Sequence, residues 1–246
     1  MISLVIITRN EADRVGRCIA SATCADECVV VDSGSTDETV SVARSAGAKV
    51  VETDWPGFVE QKNRALAMAR GEWTVSLDAD ETLDDEAVAA LQDAITQGVD
   101  ASGFSFRRRT RWLGYSLRFG RFGNERKVRV VRRGCGRWVG VNPHDRLEVR
   151  GEVRRLRGTI WHTPYRNRAE HLSTIERYSW ISAQQLVAAG AQATWWHLWI
   201  RPSWSFLYAY IVRLGFLDGR PGLEVAWLGA RYVHKKWHRV RTLRGS

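Results

Sequence analysis

The chain is sparing with the residues and runs that would place it in several large classes. Its 246 residues include four cysteines, Cys18, Cys24, Cys28 and Cys135. They form no CxxC pair and are too few for a disulfide scaffold, and three of them fall where apolar core positions are expected. They therefore read as reduced packing residues rather than metal ligands. The opening stretch Met1 to Ile7 runs straight into Thr8-Arg9-Asn10-Glu11 with neither a basic leader nor a small-residue cleavage site, which predicts a domain that begins at residue 1, in the cytoplasm. After residue 194 the longest uncharged run is Pro202 to Val212, eleven residues against the roughly twenty of a bilayer-spanning helix, so no transmembrane span is expected. No Gly-x-Gly-x-x-Gly follows the first apolar run, and no Walker loop occurs. Two common nucleotide-binding readings are thereby excluded.

What the chain does have is an ordinary globular share of hydrophobic residues, 44%, enough for one sizeable domain with an appendage or for two small ones. Its charge is unevenly divided. Residues 1–100 carry 8 Lys and Arg against 19 Asp and Glu, a net of −11; residues 101–170 carry 19 against 5, a net of +14; residues 195–246 carry 9 against 2, a net of +7. An acidic first part and a basic remainder imply a division of labour, with nucleic acid, an anionic membrane or a phosphorylated acceptor as candidate partners of the basic part.

Periodicity orders the first hundred residues. Apolar runs at Leu4 to Ile7, Cys28 to Val31, Val50 to Val51 and Trp73 to Leu77 are each followed by a stretch of helical spacing. The last three such stretches close at Gly47, Gly71 and Gly98. This alternation predicts a parallel sheet covered on both faces. Ligands of such sheets sit at the carboxyl ends of the strands. There the sequence places Thr8, Asn10 and Glu11 after the first run, Asp32-Ser33-Gly34-Ser35-Thr36-Asp37 after the second, and Asp78-Ala79-Asp80 after the fourth. Two carboxylates at a strand end are hard oxygen ligands suited to Mg²⁺ or Mn²⁺ shared with a substrate phosphate. The plainer alternatives are an acidic turn capping a helix that begins near Asp84, and a capping turn at Thr36 or Asp37.

The set Val5-Ile6-Ile7-Thr8-Arg9-Asn10-Glu11, Val30-Val31-Asp32-Ser33-Gly34-Ser35-Thr36-Asp37-Glu38-Thr39, Gln61-Lys62-Asn63-Arg64-Ala65-Leu66 and Ser76-Leu77-Asp78-Ala79-Asp80-Glu81 resembles the family 2 glycosyltransferases of GT-A fold. Within them it is most similar to the bacterial lipopolysaccharide inner-core β-1,4-glucosyltransferases. Two further stretches, Asn142-Pro143-His144-Asp145-Arg146-Leu147-Glu148-Val149 and Leu214-Gly215-Phe216-Leu217-Asp218-Gly219, carry the likeness toward the end of the chain. The resemblance implies a Rossmann-like mixed, mainly parallel α/β sheet with flanking helices. It implies a catalytic domain over residues 1–165, with an acceptor region from about 101, and a helical, aromatic and basic extension over 166–246. The implied activity is inverting transfer of a hexose, glucose by resemblance, from a UDP-sugar to a lipid-linked saccharide. By the same resemblance Thr8, Asn10, Glu11 and Ser33 line the nucleoside pocket, Asp32 accepts from the uracil ring or ribose, and Lys62 approaches the nucleotide. Asp78 lies near the ribose and donor sugar, and Asp80 ligates a divalent cation. Arg9 departs from the smaller residue that the family often has there.

Such a transfer needs a base for the acceptor hydroxyl, and a carboxylate is the usual one. Among the five acids of residues 101–170, Asp145 is expected in an irregular polar stretch, beside His144 and after a Gly140-Val141-Asn142-Pro143 turn, and it is the candidate; a structural hydrogen bond is the alternative. Six of the twelve tryptophans lie after residue 194, interleaved with positive charge, and Trp204, Leu207, Ile211 and Leu214 recur at helical spacing. This predicts a helix at the anionic cytoplasmic face of the inner membrane, or one covered by the sheet domain or by a second copy in a homo-oligomer. Two rivals remain. Asp78 to Thr82 also spells the Asp-x-Asp-x-Thr of haloacid-dehalogenase-like phosphatases, with Asp78 as nucleophile, but from residue 101 to 144 only Glu125 is acidic and the later metal ligands are short. A basic nucleic-acid- or membrane-binding module would use Arg107-Arg108-Arg109 and the tryptophans, yet no recognition motif appears and no nucleic-acid partner is expected.

Overall fold

The computed structural model describes residues 1–123, 125–141 and 144–245, with two units: Met1–Arg108 with Glu125–His162, and Arg109–Asn124 with Thr163–Ser246. In the first unit, β1 (Ile2–Thr8), α1 (Ala12–Ser21), β2 (Glu27–Asp32), α2 (Thr39–Ser45), β3 (Lys49–Glu52), α3 (Phe58–Met68) and β4 (Trp73–Asp78) follow the predicted alternation. Then come β5 (Glu81–Leu83), α4 (Asp85–Thr96) and β6 (Gly103–Trp112), whose residues from Arg109 on belong to the second unit. After β7 (Tyr115–Leu117), which belongs to the second unit, the chain returns as β8 (Glu125–Arg132), β9 (Gly136–Val141), β10 (His144–Val149) and β11 (Val153–His162).

The main sheet runs β3-β2-β1-β4-β8-β6-β11-β5, mixed and flanked by helices, as the GT-A resemblance implies. The strands β3, β2, β1 and β4 are parallel; β8 pairs antiparallel with β4 and β6, and β11 antiparallel with β5. Strands buried on both faces read as unbroken apolar runs, which is why Leu4, Val5 and Ile6 are all buried. One face packs Leu4, Ile6, Leu77, Phe104 and Phe106 of the sheet against α1 and α4, Leu91 being a fully buried residue of α4, and each side chain contributes about 1.5–3 kcal/mol by its burial. The other face carries α3 and the β9–β10 hairpin, through Val59, Leu66, Trp138 and Leu147. Gly158 is left-handed (φ +88°), and a Cβ there would lie 2.2 Å from the Ala87 nitrogen, so β11 passes α4 with no room for a side chain.

Asp84 caps α4. Its Oδ1 accepts from the Ala87 and Thr159 nitrogens, both at 2.9 Å, so the capping role is met without Asp78 or Asp80. Asp145 departs from its expected setting. It lies on β10, paired with Gly140 of β9, rather than in an irregular stretch, because the charged ribbon folds back as a hairpin. The Asn142-Pro143 turn and the side chain of His144 lie outside the described residues.

The second unit contains α5 (Arg168–Ala188), α6 (Arg201–Leu207) and α7 (Gly219–Arg244), the helical C-terminal segment expected from the sequence. Its cores are Trp112, Leu117, Ile175, Val225 and Leu228, and Ala183, Leu198, Trp237 and Val240. The Trp112 indole donates to His171 Nδ1 at 3.0 Å, and Tyr165 stacks on His171, whose pKa burial and the charge of Arg121 push down to about 4. In the motif 214–219, the Asp218 carboxylate accepts from the Arg118 and Phe119 nitrogens. Gly222 brings α7 so near residue 215 that a Cβ would sit 1.9 Å from the Gly215 oxygen. The predicted single helix over 204–214 is instead the seven-residue α6 between π-helical turns at Trp196–Ile200 and Tyr208–Val212. Trp204 (59% exposed), Leu207, Ile211 and Leu214 all face solvent. Among the described residues no helix is long and apolar enough to cross a membrane.

Candidate active site

All of the predicted site residues lie in the first unit. The β1–β2 register sets Thr8 opposite Asp32, and the β1–β4 register sets Ile7 opposite Asp78, so three parallel strands end on one rim. Asp32, expected to accept from the base or ribose, is fully buried and spends its carboxylate on its own loop. It accepts from Thr8 Oγ1 at 2.9 Å, Ser35 N at 2.8 Å and Ser35 Oγ at 2.5 Å. Its position is that of an organiser of residues 32–39.

Asn10 is left-handed (φ +58°), a conformation that asparagine tolerates better than most residues. Its nitrogen donates to Ser35 Oγ and its Oδ1 accepts from Thr36 N, both at 2.8 Å. The Glu11 nitrogen donates to Thr39 Oγ1, and the Ser33 hydroxyl accepts from Gln61 Nε2 at 2.9 Å. Asp37 is not the N-cap of α2, which is Glu38; its carboxylate closes a turn by accepting from Thr39 N and reaches across to accept from Ala12 N. The two loops are thus laced together by side chains that double as turn formers.

At the end of β4 the carboxylates meet cations. Lys62 Nζ from α3 lies 2.7 Å from Asp78 Oδ1 and 2.7 Å from Asp145 Oδ2, and 4.2 Å from the Trp138 ring centroid. Arg129 Nη2 takes the other oxygen of Asp78 at 2.7 Å, while its Nε and Nη2 grip both oxygens of the fully buried Glu81. Arg108 adds a contact to Glu81 at 3.1 Å. Burial alone would raise the Asp78 pKa, but the charges of Lys62 and Arg129 outweigh it and hold the carboxyl well below the usual range. With both oxygens ion-paired, Asp78 is not set up as a phosphatase nucleophile.

The geometry of Arg129 has a specific origin. Between the pairs Phe104↔Val130 and Ser105↔Val128 the β6–β8 ladder shifts register, leaving Arg129 as the extra residue of a bulge. Bulges re-aim a side chain, and this one puts a guanidinium among the acids.

Asp80 stands next to His162, the last residue of β11, with Oδ2 3.3 Å from Nε2. Burial pushes its pKa up, yet the neighbouring His162 brings it below the ordinary value. Two ligands about 2.1 Å from a cation and at right angles to each other stand about 3.0 Å apart, so this oxygen–nitrogen pair is spaced to share a divalent cation. Among the described residues no group of three or more His, Cys, Asp or Glu is placed to hold a metal ion, so a cation here needs further ligands from a substrate or water.

Sequence reasoning missed Arg129, Glu81 and His162. Arg129 is hidden in a basic strand, and Glu81 was visible only as the residue following the Asp-Ala-Asp motif. His162 reaches the rim because it pairs with Glu81 across β11 and β5, which no local pattern announces.

Residues 3–139 match the model of the family described as "Glycosyl transferase family 2". The chain is 29% identical over 249 residues to the lipopolysaccharide core biosynthesis glycosyltransferase LpsC of Rhizobium meliloti, covering 96% of this chain and 92% of that one. It is 31% identical over 266 residues to an uncharacterized glycosyltransferase of Rickettsia felis, covering 100% and 90%. Among solved structures, the glucosyl-3-phosphoglycerate synthase of Mycobacterium tuberculosis in complex with Mn²⁺, UDP and glucosyl-3-phosphoglycerate shows 29% identity over 45% of this chain and 44% of that one, with a TM-score of 0.36. With more than half of its length matched by the family model, the chain belongs to glycosyl transferase family 2.

Proposed function

We propose that this transferase is an inverting, metal-dependent enzyme that moves glucose from a UDP-sugar to a lipid-linked saccharide such as the lipopolysaccharide inner core. The observation that carries the reading is the rim itself: at the carboxyl ends of the parallel strands β1, β2 and β4, Lys62 holds Asp78 together with Asp145 of β10, and Asp80, two residues beyond Asp78, stands beside His162. The lipopolysaccharide part is supported by the name of LpsC, to which the chain is similar over nearly all of its length.

In this reading Thr8, Asn10, Glu11 and Ser33 line the nucleoside pocket, with Asp32 holding its loop in shape. Lys62 faces the donor from α3, and Asp78 is the acid nearest the ribose and sugar. Asp80 and His162 would hold a Mg²⁺ or Mn²⁺ ion, with its remaining ligands from substrate or water. When bound, that ion supplies positive charge against the negative charge that grows on the departing diphosphate.

Asp145 receives the acceptor hydroxyl proton while the hydroxyl oxygen bonds to the anomeric carbon. The bond from that carbon to the diphosphate oxygen breaks, and its electron pair leaves with the nucleotide. Lys62 occupies Asp145 Oδ2, and no donor among the described residues takes Oδ1, the oxygen assigned to the proton.

The same reading puts the chain at the cytoplasmic face of the inner membrane, bound peripherally. Trp199, Trp204, Leu207, Ile211 and Leu217 are exposed within residues 195–246, which carry a net charge of +7. Exposed aromatic and aliphatic side chains among arginines match an anionic lipid interface.

The test is turnover of UDP-glucose and other nucleotide sugars with Mg²⁺, with Mn²⁺ and with chelator. UDP release that requires metal, and that disappears in Asp80→Asn with the fold intact, is the expected result. Full activity of Asp80→Asn, or metal-independent release, would remove the metal role.

A further inference from the structure

Strands β8, β6 and β11 are neighbours in that order, and Arg126, Arg107 and Arg155 lie across them. Arg107 and Arg126 stand directly opposite each other in the ladder. Like charges so placed destabilise a strand pair. Partial burial and then the charges of Arg155 and Arg107 lower the pKa of the Arg126 guanidinium, so Arg126 feels both of the others.

The nearby acids are engaged elsewhere: Glu125 by Arg108 and Lys127, Glu148 by Arg137 and Arg146, and Glu152 by Arg154. Among the described residues no carboxylate pairs with Arg107, Arg126 or Arg155. Arg126 is also anchored, its Nη2 donating to the Ser105 oxygen at 2.8 Å and the Leu156 oxygen at 2.9 Å, so its fork is fixed across three strands.

Arginines that repel one another, lack acids and are partly immobilised are arranged for an oxyanion. We propose that Arg107, Arg126 and Arg155 form a binding site for a phosphate-monoester dianion. The outer two strands are about 10 Å apart, a gap that two arginine side chains close onto one phosphate. Arg129 of the carboxylate cluster lies three residues along β8 from Arg126, again about 10 Å. The bound phosphate is therefore assigned to the acceptor saccharide. That assignment rests on the transferase reading, whereas the anion site itself does not.

Thermal unfolding of the full chain tests the site, with inorganic phosphate, glucose 6-phosphate or a short-chain phosphatidic acid added in chelator, against KCl at matched ionic strength. The phosphates should raise Tm beyond the salt control. Arg107→Gln and Arg155→Gln should each weaken the apparent affinity about tenfold or more. Each should leave the ligand-free Tm unchanged or higher, because repulsion is relieved.

Equal protection of both variants, absence of a phosphate-specific shift, or a fall in ligand-free Tm would overturn the site. Stronger protection by the sugar phosphate supports the acceptor assignment, and stronger protection by the lipid overturns it in favour of a headgroup. In the wild-type chain, absence of phosphate protection with UDP-sugar turnover intact would fail this inference alone, and protection without turnover would fail the transferase reading alone.

Discussion

Arg129→Met would remove one guanidinium that serves the buried Glu81 and the partly exposed Asp78. Arg129 is 4% exposed, grips both oxygens of Glu81 and reaches Asp78 Oδ2 at 2.7 Å. Breaking a buried ion pair by deleting one partner costs about 3–5 kcal/mol, because the other charge is left in a poorly solvated place. Here Asp78 keeps Lys62 and Glu81 keeps Arg108, so the lower end, about 3 kcal/mol, is expected. With an m-value of about 2–3 kcal/mol/M, the urea midpoint should fall by about 1–1.5 M. Glu81→Leu alone should also destabilise, since it leaves the buried Arg129 with Asp78 as its remaining carboxylate partner. The double variant should cost less than the sum of the two, because the surviving partner is removed as well. A midpoint shift below about 0.3 M for Arg129→Met, or strictly additive losses, would refute the reasoning. The pH dependence adds a sign. The folded Asp78 carboxyl is held below its unfolded value, so its contribution is complete above the unfolded carboxyl range and is lost as pH falls through the folded value.

Asp145→Asn should keep UDP-sugar binding by calorimetry and lose transfer by about a hundredfold or more; wild-type transfer would mean that another group takes the proton. Glu27 is pushed up by burial, but hydrogen bonds from Ser3 Oγ and from Arg70 N and Nε bring its pKa down to about 2. Wild type should therefore lose stability relative to Glu27→Gln as pH falls from about 4.3 toward that value, and parallel pH–stability curves would contradict the pairing. Trp204→Ser combined with Ile211→Ser should weaken binding to anionic vesicles about tenfold to a hundredfold without lowering Tm, from the loss of two inserting side chains. A lowered Tm would show that these residues are core. Unchanged vesicle binding together with a change of oligomeric state would show that a second copy covers them.

The parts of the fold that could be read in the sequence are those whose signal is local. Strands β1 to β4 and helices α1 to α4 announce themselves through period, and the residues after each strand identify the rim because strand ends in a parallel sheet line up. Distant pairing hid the rest. Asp145 looked irregular because the hairpin partner that orders it, β9, is interrupted by Gly136 and Gly140, which weaken the strand signal of Trp138, Val139 and Val141. His162 lies 82 positions beyond Asp80 and reaches it through the β11–β5 register. The run from Trp204 to Leu214 keeps its exposed apolar character, but the π-helical turns were invisible because their hydrogen bonding leaves no mark on composition.

The irregularity in β8 makes the site depend on counting as well as on chemistry. Deleting Arg129 outright would leave Val128 opposite Ser105 and Val130 opposite Phe104, so the ladder could close with no interruption. The sheet would become more regular while Asp78 and Glu81 lost the cation they share. A chain optimised for tidy strand pairing would discard this residue; its presence marks where regularity was given up for electrostatics.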